Sequence, residues 1–263
     1  MKKLQSIGNR LLPIGFTSIL LAIWEGMARK GFVQPNLLPA PTKIIHTLVT
    51  NFSLMGEHIL ITSFEAVAGF LISIAVAVVV SVLMDMMPMM RKTLYPMMIT
   101  SQTVPMITLA PLFLIWFGYG YLPKIIIVIL VCFFPITISL LEGLASVDQE
   151  LLNLLRSMGA KKYQIYRLAK FPAAMPGFFS GLKIAGTYSI MGAVIGEWVG
   201  GKKGLGLYMI RVRHSFATDK VFAAILVITA LSLLLLGIIR WMEIRLVPWK
   251  KYMFQQSEEE YDS

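Results

Sequence analysis

Of 263 residues, 57% are hydrophobic and 14% charged, against roughly 25% charged in an ordinary soluble domain, so each ionisable group standing inside apolar sequence asks for a chemical reason. Lys183 and Glu197 bound one such run, Ile184–Gly196. Fourteen residues of helical rise hold them about 21 Å apart, too far to pair within one helix. Lys183 can snorkel toward one membrane face. Glu197, near the outer end, is either a gate or docking contact at an outer mouth or an interfacial acid bonded to the following Gly-Gly-Lys-Lys-Gly backbone, to Lys202 or to Lys203. Ser101, Gln102 and Thr103 beside Pro105, and Tyr188 with Ser189, are further polar groups within apolar runs. Such groups turn to a bundle interior, which marks both segments as walls of a passage. Hydroxyls, an amide and aromatics suit an uncharged heterocycle better than fixed charges would.

No nucleophile, base or metal-ligand cluster stands out, so no residue is assigned as catalytic or metal-binding. His46, His58 and His214 lack ligand spacing, and the methionines at 84, 86, 87, 89, 90, 97 and 98 read as adaptable packing rather than a soft-metal site. Asp85, beside Pro88 and Arg91, reads as a charge at a cytoplasmic helix end. The single cysteine, Cys132, lies in an apolar run. With no G-x-x-x-x-G-K-[ST] segment, the chain has no P-loop for ATP, and energy must come from another subunit. The net charge of +10 falls between apolar runs, where it sets membrane orientation and gives no reason to expect nucleic acid.

Charge-free runs at Leu11–Trp24, Ala66–Met84, Thr93–Pro123, Ile125–Leu141, Ile184–Gly196 and Val221–Ile239 predict an all-α membrane protein of about six transmembrane helices, since an ionised group at the bilayer centre costs at least about 2.5 kcal/mol. The spans expected are about 11–28, 64–87, 96–117, 123–142, 177–200 and 221–245, in a single domain over 1–250. The third is read as one proline-bent helix, Pro96–Phe117. Gly177 with Gly181 and Gly192 with Gly196 form small-xxx-small pairs, placing the fifth span mid-bundle or at a subunit interface. Thr42–Phe52 reads as an amphipathic stretch at the outer surface, and 251–263 as an acidic, disordered cytoplasmic tail. The N-terminal segment is read as a retained first helix rather than a cleaved signal. Basic residues favour the side holding both termini by 14 to 9, which predicts cytoplasmic termini.

The loop 143–176 is the longest and most charged on that side. Leu151, Leu154, Leu155 and Met158 recur at helical spacing, Gly159 interrupts, and Lys161–Lys170 resumes a basic and aromatic helix that Phe171-Pro172 should stop. Two short helices hinged at a glycine make a knob suited to docking.

The segment Leu152–Pro176, LNLLRSMGAKKYQIYRLAKFPAAMP, resembles the cytoplasmic coupling loop of bacterial ABC importer permeases. The resemblance places Gly159 at the loop glycine and Pro172 and Pro176 at its prolines, and implies that Gly159, Ala160, Lys161, Lys162, Tyr163, Tyr166 and Arg167 dock an ATP-hydrolysing subunit. Asn153, Leu154 and Leu155 stand where that family usually has Glu-Ala-Ala. LLPAPTKI (37–44), VPMITLAPLFLIWFGYG (104–120) and GEWVGGKKGLG (196–206) are similar to the subfamily importing nitrate, taurine, alkane sulfonates and thiamine-precursor pyrimidines. Pro123–Ile136 and Thr187–Gly201 look most like permeases for hydroxymethylpyrimidine-type or riboflavin-like compounds. The resemblance implies an inner-membrane permease subunit, not itself an enzyme and binding no cofactor, with ATP and Mg on the partner ATPase. It implies a second copy of the chain, an extracytoplasmic solute-binding protein and the lipid bilayer as its other partners. Import of aliphatic sulfonate, taurine or nitrate by the same architecture is the nearest alternative. An ion-coupled secondary transporter is the alternative of another class.

Overall fold

Residues 2–34 and 36–249 are described in a computed structural model, the side chains of 2–11, 13 and 14 excepted. The described residues are helical and contain no strand: α1 (Lys2–Arg29), α2 (Pro41–Met86), α3 (Pro88–Ser101), α4 (Met106–Phe117), α5 (Leu122–Ala145), α6 (Gln149–Ser157), α7 (Lys162–Ile165), a π turn (Tyr166–Lys170), α8 (Phe171–Gly200), α9 (Leu205–His214) and α10 (Thr218–Leu246). The acidic tail lies outside them. Four helices are long and apolar enough to cross a membrane, or five when α3 and α4 count as one broken span.

Helices α5 and α8 form the centre, brought together by missing side chains. A Cβ on Gly181 would lie 2.7 Å from the Pro135 carbonyl oxygen, and one on Gly177 would lie 2.8 Å from that of Ser139. Higher up, Gly192 and Gly196 meet Val131 and Lys124 of the same neighbour. The small-residue stripe therefore packs α8 inside its own bundle, the mid-bundle alternative. Around this seam Phe70, Val128, Cys132, Ile136, Phe179, Leu182 and Ile190 make the main core. Met84 and Met98 pack with Phe134 and Leu141 in a second cluster.

The third span is not one bent helix. Of its prolines, Pro96 and Pro111 sit inside α3 and α4, whereas the chain breaks at Pro105 and the two helices diverge by 101°. Pro105 donates no hydrogen bond and drives the residue before it out of helical geometry. The carbonyls released at the break are taken up locally: Thr103 and Val104 N–H donate to Thr100 and Ser101 at 3.1 and 3.2 Å.

At Pro172 the expectation of a stop is wrong, since the chain runs helically from Lys162 to Gly200. The π turn makes this possible. Phe171 N–H reaches back to the Tyr166 carbonyl, and this wider turn admits a proline in the first turn of α8 without a kink-forming clash. The fifth span thus begins well before 177. Nor is Thr42–Phe52 a separate surface segment. It forms the opening turns of α2, whose 46 residues extend about 69 Å, more than twice the ~30 Å hydrocarbon core. Helix α9 was not anticipated.

Substituting Gly181 by Val should force α5 and α8 apart and destabilise the protein by about 1–3 kcal/mol. Gly237→Ala, where no atom lies within 4 Å of the added carbon, should leave the detergent melting temperature unchanged or raise it.

Candidate functional site

The loop after α5 folds into a small core of its own, in which Val147, Leu152, Ile165 and Ala169 are buried. Asp148 caps α6 by accepting from Glu150 N–H at 2.8 Å. The helix then ends in a Schellman arrangement: Ala160 N–H donates to Leu155 at 3.0 Å and Gly159 N–H to Arg156 at 2.9 Å, with Gly159 at φ 79°, a conformation that favours glycine. The Gln164 side chain accepts from Lys161 N–H at 2.7 Å and starts α7.

The apolar repeat read from sequence divides. Leu152 faces inward and Leu155 packs against it, while Leu151, Leu154 and Met158 are exposed. Asn153, in place of the usual acid, accepts from Arg156 at 3.2 Å. On the second half of the loop, Lys161, Tyr163, Gln164, Arg167 and Leu168 line an open groove of about 490 Å³. Tyr163 is 69% exposed. Tyr166 points the other way: its hydroxyl donates to Asp85, at the end of α2, and Lys170 Nζ bonds the same carboxylate at 2.6 and 2.9 Å. Asp85 is more than a charge at a helix end, because it fastens the loop to α2.

Ser101 is half-buried, and Gln102, Thr103 and Pro105 are exposed at the break between α3 and α4. On α8, Tyr188 is exposed, whereas Ser189 is fully buried with its hydroxyl on the Gly186 carbonyl at 2.8 Å. Tyr188 shares an open stripe with Ile184, Met191 and Trp198.

At the end of the bundle opposite the loop, Glu197 is completely buried. Its carboxylate accepts from Thr62 Oγ1 at 2.6 Å and from Gly206 N–H at 2.5 Å. Thr62 Oγ1 accepts in turn from Leu205 N–H at 2.9 Å, and His58 Nδ1 from Gly204 N–H at 3.0 Å. Three side chains from α2 and α8 thus satisfy three of the free N–H groups that open α9, those of Gly204, Leu205 and Gly206. Gly204, at φ 126°, has no room for a Cβ, which would run into the Glu197 carboxyl. The Gly-Lys-Lys-Gly-Leu-Gly run is the turn this cap requires. The partners of Glu197 are thus neither the Gly-Gly-Lys-Lys-Gly backbone nor Lys202 or Lys203, but Thr62 and the N–H of Gly206, two residues beyond that run; Lys203 pairs with Glu57.

Sequence reading missed two ion pairs, one of them fully enclosed and one partly open. Lys124, at the start of α5, pairs with Glu65 of α2, and Lys183 pairs with Glu243 of α10. The available signal was that Glu65 and Lys124 each abut the end of a charge-free run. Beside Lys124 a recess of about 300 Å³ opens between Glu57, Tyr121, Lys202 and Lys203. Among the described residues, no group of three or more His, Cys, Asp or Glu side chains is placed to hold a metal ion.

The family model described as binding-protein-dependent transport system inner membrane component matches residues 69–248. The formylaminopyrimidine transport permease protein ThiX of Halalkalibacterium halodurans is 36% identical over 242 residues, covering 92% of this chain and 96% of that one. The putative aliphatic sulfonates transport permease protein SsuC of Bacillus subtilis is 29% identical over 243 residues, with 91% and 86% covered. A chain of the MetNI methionine ABC transporter, solved in inward-facing conformations, shares the fold at a TM-score of 0.54 and 21% identity, over 78% of this chain and 96% of that one.

Glu197→Gln keeps the size of the side chain but presents an amide N–H₂ where one of the two donors now binds. One donor is left unsatisfied, and the expected loss of stability is about 1–3 kcal/mol, read as a lowered melting temperature in detergent. An unchanged melting temperature would contradict the capping role.

Proposed function

The chain belongs to the binding-protein-dependent transport inner membrane components, and from that premise we propose that it forms the passage for a thiamine-precursor pyrimidine of the formylaminopyrimidine kind. It is the permease subunit of an ABC importer. The observation that carries the substrate is the 36% identity to ThiX over nearly the whole of both chains. The side chains at the break and at Tyr188 agree with it, offering hydroxyls, an amide and an aromatic ring, without charge.

In this reading the ATPase, which holds ATP and Mg, seats on Gly159, Ala160, Lys161, Lys162, Tyr163 and Arg167, where the loop presents an apolar and basic groove beside exposed Leu154 and Met158. A second copy stands opposite the open stripe of α8, an apolar face on the helix that is otherwise most enclosed, and closes the passage on that side. The passage then runs between that stripe and the Ser101–Pro105 break, with Ser189 behind the wall formed by Tyr188. A solute-binding protein delivers substrate at the α9 end. Glu197 serves that mouth by holding α9 rather than by opening or closing over substrate. Counting α1 gives six spans, with both termini on the cytoplasmic side of the inner membrane. The 29% identity to SsuC favours a second substrate reading, an aliphatic sulfonate.

Two measurements test this. The partner binding protein should hold formylaminopyrimidine in calorimetric titration without displacement by an alkane sulfonate; the reverse ranking selects the sulfonate reading. In proteoliposomes with ATPase and binding protein, Gly159→Pro should insert normally, hydrolyse ATP and lose uptake. Uptake at the parent rate would remove the docking assignment, and uptake by the chain alone on an ion gradient would identify an ion-coupled carrier.

A further inference from the structure

The loop has two mechanical connections to the membrane helices, and only one follows the chain. Along the backbone, α7 and the π turn pass directly into α8. The other connection is made by side chains. Asp85 stands in the last turn of α2, where a carboxylate faces the negative end of the helix dipole. Its side chain is only 6% exposed. Burial at a disfavoured helix position persists only when partners compensate, and here both partners come from the π turn: the Tyr166 hydroxyl and the Lys170 ammonium. Lys170 also lies over the Tyr166 ring, 5.2 Å from its centroid. Tyr166 packs against the cluster of Leu140, Leu144 and Ala174, which Val78 and Val82 of α2 also join. The contact is therefore a packed and charged joint, placed where the helix has departed from α geometry.

What lies beyond Asp85 gives the joint its meaning. Met87 alone separates α2 from α3, which begins at Pro88 and leads to the break at Ser101–Pro105. We propose that Asp85 is a positioning residue for transport: by gripping Tyr166 and Lys170 it carries displacement of the ATPase-docking loop into the α2–α3 junction, and so into the broken pair α3–α4, while α8 is moved through the backbone. The two walls of the passage are thereby driven together by one docking event. This inference rests on the docking reading above, and its test separates the two.

The experiment uses the complex of permease, ATPase and binding protein in proteoliposomes, and reads formylaminopyrimidine uptake per ATP hydrolysed. Docking is read separately, by cross-linking Tyr163→Cys to the ATPase. Asp85→Asn should keep the cross-link and lower uptake per ATP by about tenfold, within the usual span of coupling between sites. Tyr166→Phe, which keeps the ring and removes one bond, should lower it less. Asp85→Lys combined with Lys170→Asp should restore most of the ratio. A parent-like ratio in both single variants overturns the joint, as does a swap that restores nothing. Loss of the cross-link in Asp85→Asn also overturns it, by reducing the contact to local structure. Absence of the cross-link in the parent overturns the docking reading instead.

Discussion

A carboxylate placed among apolar helices must find its partner inside the protein, because lipid supplies none. In this chain that requirement organises the bundle. Glu65 reaches Lys124 and joins α2 to α5; Lys183 and Glu243 join α8 to α10. Glu197 gathers α2, α8 and α9, and Asp85 joins α2 to the loop. Each acid thus fixes the relation of elements far apart in sequence. Ion pairs replaced by well-packed apolar residues are often no less stable, so their contribution is register and geometry more than strength. Close packing of α5 on α8 through glycine supplies the surface against which these ties act.

Two open features stand at the ends of the bundle: the groove around Tyr163 at one end and the α9 turn with its neighbouring recess at the other. The family comparison and the geometry meet here without either replacing the other. Similarity over nearly the whole chain identifies a permease, and the side chains show how the loop after α5 is fastened to α2.

Much of this could be read from residue order. Uncharged runs locate α5 and α10 because hydrophobic length is a local property. Gly159 is legible as a hinge because its conformation is set by adjacent residues. Prolines were harder, since Pro105 breaks the chain while Pro96, Pro111 and Pro172 do not. The outcome depends on whether released carbonyls find donors and whether a π turn is available, and neither is written in spacing. The partnership of Asp85 with Lys170 spans 85 residues, and that of Glu65 with Lys124 spans 59; no linear pattern links them. The same limit hid α9, whose opening turn depends on side chains from two other helices. Tyr188 and Ser189, adjacent in sequence, part company, one exposed and one buried, because successive helical residues point about 100° apart.

The uninterrupted length of α2 carries a consequence of its own. Thr62, which helps cap α9, and Asp85, which grips the loop, lie 23 residues apart by number in one helix, about 35 Å along its axis. No proline or π turn intervenes to absorb torsion. Between these positions α2 is one unbroken helix, so it forms a continuous rod from the α9 turn to the loop. The α9 turn and the loop after α5 are thus fastened to the same rod, one at each end.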